Sequence, residues 1–405
     1  MQNQKTHPSA LYLSCILSAL SANAAHSQSL APFSLNAGYT IQTDSNLFRL
    51  PSSANTNALL GRSGDEKIGI STLGVGFKTQ QSLQNFEANV SVSNYQYQNF
   101  TYLNYTAANY NARWLWALTP RWTGSFSSER KETQNSFADV VPGTTRSNLR
   151  IDSSTGIETV YEIDGPWRLI AGASTTRQAN QEAVVAGSDY SYTTADAGVR
   201  YVFPSGSAFT YLGKLNNGSY YNAVVPNSGS FDNAFKQFEH DFRLHWAFSG
   251  LSTADIYATH IDRNHANYPT RDFGGWNTGA TVNYVASGKL SIWGGYRHEL
   301  SVYATGNTNY TQTDRVTIAP TWQMSPKTNL KVQFDTADIQ YLGAPGGLTP
   351  SPRRDTTRDL SLSVGWQPTR QWLLSSGLQN LTRSSNLANL DYESNVFFLS
   401  GLFSF

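Results

Sequence analysis

The stretch that decides the fold is the last one, "ESNVFFLSGLFSF", residues 393–405. Phe397, Leu399, Phe403 and Phe405 share one parity, with Gly401 between them. Side chains two apart lie on one face of a strand, so this segment reads as a strand with one greasy face. Terminal residues of water-soluble domains usually fray into solvent. A chain that stops on an aromatic instead predicts that its last strand is paired and that its apolar face meets hydrocarbon. Phe398 and Leu402 fall on the other parity and predict an inward contact with the first strand or with a plug segment.

The same period of two recurs upstream. Phe33, Leu35, Ala37, Tyr39 and Ile41 share a parity; so do Ala108, Tyr110, Ala112, Trp114, Trp116 and Leu118. Phe242, Leu244, Trp246 and Phe248 repeat it, as do Leu360, Leu362, Val364 and Trp366. Tight Gly- or Pro-bearing turns at 119–121, 164–166, 204–207, 249–250, 287–289, 325–327 and 368–370 alternate with polar stretches such as 43–67, 131–148, 216–234 and 299–312. Strand, tight turn, strand, long loop is the order of an up-and-down sheet. About eighteen strands are expected (16–18), the alternation being weakest over 208–215 and 251–261. The predicted fold is all-β: an antiparallel transmembrane barrel with short periplasmic turns, long extracellular loops and both termini at the short-turn end. A propeller would need four short strands per repeat, and here each repeat holds two long ones. A soluble sandwich or solenoid would satisfy the alternation but not the tryptophans. Trp116, Trp122, Trp167, Trp246, Trp322, Trp366 and Trp372 all sit beside tight turns, the place of an aromatic girdle at one membrane interface.

Composition agrees. Charged residues are 14% of 405, well below the roughly 25% of soluble domains, while Tyr and Trp are abundant. A formal charge of +1 gives no electrostatic case for nucleic acid. Lys5, the apolar run 10–20 and the small residues 22–24 read as a secretory signal cleaved after Ala24, leaving 25–405 as one barrel domain in the outer membrane of a Gram-negative cell. The alternative lipoprotein reading of Cys15 has too little apolar sequence before it. Cleavage after Ala24 removes the single cysteine, so no disulfide is expected.

Residues opposite the lipid parity should line a polar lumen: Asn109, Asn111, Arg113, Arg150, Asp152, Glu158, Arg200, Glu239, Asp241, Arg243, His245, Arg297 and Arg315. Placing these charges in hydrocarbon would cost ~2–4 kcal/mol for each Arg or Lys at the midplane, so their parity carries information. Trp293 shares the inward parity, where an indole face can stack on a sugar ring. Mixed signs point to cross-strand pairing rather than to a selective ring. The charges of 129–132 and 353–359 are read as solvated loop rims. No zinc-protease motif, nucleophile elbow or phosphate loop is present, and no cofactor, metal or enzymatic activity is expected. His260 and His265 about Asp262 are a weak metal pattern. A lipid hydrolase, the third functional alternative, would need an outward His such as His240 or His298 beside a Ser of the next strand.

Six phrases, "SNLFRLP" (45–51), "YQYQNFTYLNYTAANYNARWLW" (95–116), "ERKETQNSFAD" (129–139), "GVRYVFPSGS" (198–207), "FEHDFRLHW" (238–246) and "RRDTTRDLSLSVGWQP" (353–368), resemble the exosortase-B-associated exopolysaccharide-export outer-membrane proteins of the EpsL type. The resemblance covers the chain from about residue 33 onward. It implies an outer-membrane barrel that helps secrete an extracellular polysaccharide, working with periplasmic and inner-membrane export components. Other expected partners are outer-membrane lipids and the barrel-assembly machinery, which would read Phe405. It transfers no individual functional residue. The alternative from architecture alone is a general or sugar-uptake porin.

Overall fold

The computed structural model describes residues 32–138, 147–182, 188–222, 234–266, 269–305, 308–344, 349 and 351–405; the expected signal segment 1–24 lies outside them. Eighteen strands follow one another: β1 Phe33–Asp44, β2 Glu66–Gln81, β3 Gln84–Tyr97, β4 Tyr105–Thr119, β5 Trp122–Gln134 and β6 Leu149–Asp164. Then come β7 Trp167–Asn180, β8 Tyr190–Val202, β9 Ala208–Ser219, β10 Ala234–Ala247, β11 Thr253–Asn264 and β12 Phe273–Val285. The last six are β13 Leu290–Thr305, β14 Thr308–Ser325, β15 Thr328–Leu342, β16 Arg354–Trp366, β17 Trp372–Ser385 and β18 Tyr392–Ser404. One short helix, α1 (Thr56–Leu60), sits in the β1–β2 connection.

Each strand pairs antiparallel with its sequence neighbours, and β18 returns to β1 through a register running from Asn36 opposite Ser404 to Asp44 opposite Val396. The sheet is therefore closed and has no free edge. Phe405 is tied into the closure: its N–H donates to Leu35 O at 2.8 Å, and the Phe403 and Phe405 rings meet at 4.4 Å. The strands at 208–219 and 253–264 are regular despite their blurred alternation, because cross-strand partners supply what local pattern lacks.

One parity of every strand points out of the barrel and stays uncovered. On β16 this is Leu360, Leu362, Val364 and Trp366; on β2 it is Leu73 and Val75, with Leu73 68% exposed. A continuous apolar belt of this kind around a closed sheet has hydrocarbon as its solvent. Trp114, Trp122, Trp167, Trp246, Trp322, Trp366 and Trp372 are exposed on the outer face beside short connections, and Trp116 shares their parity on β4. Two indole N–H groups are satisfied there: Trp114 donates to Gln84 Oε1 at 2.9 Å and Trp122 to Thr159 Oγ1 at 2.7 Å.

Two expectations fail in the fold. The segment 299–312 was expected to be a long loop. Instead β13 and β14 run through it to Thr305 and from Thr308, with one register shift between Val302 and Thr305. Its Val, Tyr and Thr residues favour extended backbone, and the hairpin needs no membrane to pair. The charges at 129–132 and 353–359 are likewise not loop rims. All but Arg353 lie on β5 and β16, where Glu129 faces the lumen and Asp355 is fully buried, held by Arg353 Nε at 3.0 Å.

The inward apolar residues found their partner in the connections. Leu47, Phe48 and Phe137, from the β1–β2 and β5–β6 connections, fold into the barrel against Ile68, Tyr95, Tyr97, Phe100, Leu103, Tyr105 and Ala107. Phe48 meets Phe100 and Phe137 at ring separations of 4.8 Å. Phe398 packs with Leu381, Tyr392 and Val396, and Ala138 of the β5–β6 connection lies against them. One side of the lumen is thus filled by an apolar plug.

Candidate functional site: the lumen wall

Opposite the plug, the inner faces of β3 to β17 enclose a cavity of about 2150 Å³. Of the residues expected from parity, Asn111, Arg113, Arg150, Glu158, Arg200, Glu239, Asp241, Arg243, His245, Trp293 and Arg297 line it. Three others share the inward parity but lie flat against the wall as braces. Asn109 Oδ1 accepts the Glu132 N–H at 2.7 Å, Asp152 accepts Arg150 Nε at 2.9 Å, and Arg315, only 6% exposed, is paired with Asp335.

The charges are not scattered. Direct cross-strand partners on the inner face run from Arg168 to Arg200, Thr210, Arg243, Tyr257, Gly279, Arg297, Arg315, Ala337, Thr357 and Arg383. Arg168 lies at the short-turn end of β7 and Arg383 at the long-loop end of β17. Barrel strands are tilted, so a row of directly opposed residues climbs the wall as a spiral. Six arginines therefore stand on one ramp from mouth to mouth.

Acids on the neighbouring rows fix several of them. Arg168 Nη2 lies 3.1 Å from Glu162, and Arg243 Nη2 2.6 Å from Asp241. Asp241, 1% exposed, is also paired with Lys214, whose Nζ is 3.6 Å from Glu239, and accepts Thr259 Oγ1 at 3.2 Å. Arg200 Nε donates to Thr210 Oγ1 at 3.1 Å; Arg383 donates to the Leu390 and Ala138 carbonyls at 2.7 and 3.1 Å. His245 Nδ1 lies 2.7 Å from Asp255. Partial neutralisation in a polar wall holds the guanidinium groups in place; Arg200, Arg243 and Arg297 line the cavity, whereas Arg315 and Arg383 are buried in the wall.

The sequence reading missed the cavity-lining Lys214, Arg263, Lys331, Tyr257 and Phe273, and Arg168 opposite Arg200, although parity marks each as inward once its strand is assigned. The plug carried a signal as well, in the apolar residues of "NLFRL" within an otherwise polar connection.

The two weak chemical patterns separate in space. His260 points outward and meets the Trp276 ring at 5.1 Å, whereas His265 is buried against Asp272, its Nδ1 3.1 Å from Oδ1. Among the described residues no group of His, Cys, Asp and Glu could hold a metal ion. Outward His240 bonds the Tyr211 hydroxyl at 2.9 Å and has Gly213 and His260 opposite it. Outward His298 bonds Asp314 at 2.8 Å and lies opposite Thr278. Neither has a serine directly across the sheet.

A closed antiparallel sheet of eighteen strands, apolar outside and polar within, defines the chain as a transmembrane β-barrel. Its solved structural relatives agree. Pseudomonas aeruginosa OccK9 (OpdG) is similar at 12% identity and a TM-score of 0.50 over 92% of this chain and 98% of that one. OccK2 (OpdF) of the same organism, solved in complex with glucuronate, is similar at 10% identity and a TM-score of 0.50, covering 92% and 98%. OpdK with vanillate gives 10%, 0.50, 92% and 99%. No family model and no curated protein sequence matches the chain.

Proposed function

We propose that the protein is a passive outer-membrane channel for polar, carboxylate-bearing carbohydrates. The observation that carries the reading is the arginine ramp crossing a polar lumen from one mouth to the other. Of the six, Arg200, Arg243 and Arg297 line the cavity, so a carboxylate meets a guanidinium at successive levels of its wall. Structural relatives crystallised with glucuronate and with vanillate, both carboxylates, support the choice of solute class.

The test is electrical. In planar bilayers under a salt gradient, Arg200→Ala combined with Arg297→Ala moves the reversal potential toward cation preference. An unmoved potential with an intact open-channel current overturns the ramp as the conducting feature.

The strand-end phrases support a narrower second reading, in which the cargo is an extracellular polysaccharide leaving the cell. Periplasmic and inner-membrane components would then supply force, outer-membrane lipids would surround the belt, and Phe405 would serve assembly. Polymer added to the periplasmic side blocks the current under this reading, and monosaccharides do not. Secretion that survives deletion of the protein removes it.

A further inference from the structure

The lumen carries a second pattern that the arginine ramp does not explain. Among the described residues, the aromatic side chains lining the main cavity all come from one sector, β8 to β13 with the residue after β9. At the long-loop end, Tyr190 and Tyr192 stack with ring centroids 5.9 Å apart and planes 20° apart. The Arg263 guanidinium lies over Phe235 at 4.0 Å and over Phe273 at 5.3 Å. Its Nε donates to Gln237 at 2.7 Å and its Nη1 to the Tyr220 hydroxyl at 3.0 Å, so the group is fixed in the wall. Lower down, Tyr257 lies across Gly279, where a Cβ would stand 2.4 Å from its ring; only glycine lets the ring lie flat against the sheet. Lower still, Trp293 is 38% exposed although it points inward, and its ring lies against Gly295. One indole face is on the wall and the other is open to the cavity.

Aromatic side chains inside a barrel can serve as packing, as the plug shows, but these do not belong to the plug. They descend one sector from the upper mouth to Trp293 near the short-turn end. The track crosses the ramp at Tyr257, which stands between Arg243 and Gly279, with Arg297 next across the sheet. Flat apolar rings interleaved with fixed cations, amides and hydroxyls match a pyranose that bears a carboxylate. The ring's C–H face lies on the aromatic surface, its hydroxyls meet the amides, and its carboxylate meets a guanidinium.

We infer that this sector is a saccharide-binding track, with a ring-stacking station at Tyr192, one at Tyr257 and one at Trp293, and with Arg263, Arg243 and Arg297 taking carboxylates. The inference deepens the channel reading and rests on it for its function, but binding itself does not require conduction. The track selects hexuronate oligomers over neutral oligosaccharides of the same length.

The experiment is calorimetric titration of the folded, full-length barrel in detergent with a hexameric oligogalacturonate and with maltohexaose, run beside bilayer conductance. The uronate binds, and Trp293→Ala and Tyr192→Ala each weaken it about tenfold, the scale of losing one well-packed aromatic contact. Trp293→Phe retains most of the affinity. A shift in gel mobility between unboiled and boiled samples shows that each variant is folded. Undiminished affinity in both alanine variants overturns the track, and equal affinity for maltohexaose overturns the role of the arginines. Binding without any conductance preserves the track and overturns the channel; conductance without binding does the reverse.

Discussion

Leu362→Arg lowers the stability of the barrel in lipid vesicles by ~2–4 kcal/mol, whereas Ser363→Arg, one residue further on, changes it by no more than about 0.5 kcal/mol. Leu362 is 43% exposed on the outer face of β16, about four residues above the girdle Trp366, which sets it near the bilayer midplane. Ser363 points into the polar cavity. The two positions share strand, depth and local backbone, and differ only in which solvent they meet. Urea titration of protein folded into phosphatidylcholine vesicles measures both. Equal losses at the two sites would mean that hydrocarbon does not cover the outer face, and the membrane assignment would fall with it.

Asp44→Ala destabilises the inward fold of the β1–β2 connection by ~3–5 kcal/mol, the usual cost of stripping one partner from a buried ion pair. Asp44 is 2% exposed at the end of β1. It accepts Arg49 Nη1 at 2.9 Å and Nη2 at 2.8 Å, the Asn46 N–H at 2.9 Å and Ser394 Oγ at 2.6 Å. Arg49 has a positive φ of 55°, a costly conformation for a side chain of its size, which this pairing helps to hold. Leu47 and Phe48 lie on the same short segment, so its release withdraws them from the plug. Single-channel conductance therefore rises, and proteolysis cuts between residues 45 and 65 while the barrel stays intact. Glu66 braces the same plug from β2: its carboxylate accepts the backbone N–H groups of Lys67, Gln98, Asn99 and Phe100 at 2.7 to 3.1 Å. Unchanged conductance in Asp44→Ala would show that the apolar cluster is wall rather than constriction.

Much of the architecture was legible in residue order because a membrane barrel is under two strict local demands. Each strand must put apolar side chains into lipid and polar ones into the lumen, which imposes period two. Each short connection needs Gly, Pro or small polar residues, which imposes punctuation. Leu360 to Trp366 on β16, followed by the short connection to β17, shows both demands within a few residues. The inward parity of Arg243, Trp293 and Arg297 follows from the same rule.

Which lumen residues act together was not legible. The arginine ramp exists only because the registers of β7 to β17 bring Arg168, Arg200, Arg243, Arg297, Arg315 and Arg383 onto one row, and a shift of two residues in any pair would break it. Register is a property of pairs of strands, absent from either strand alone. The plug depends on more distant partners still: Arg383 on β17 donates to the Ala138 carbonyl, 245 positions earlier in the chain. Residue order alone was enough for the closed barrel and its two faces, because the solvent outside enforces the alternation one residue at a time. The ramp, the aromatic track and the plug were decided only in the tertiary structure, where strand register and inward-folded connections choose which side chains meet.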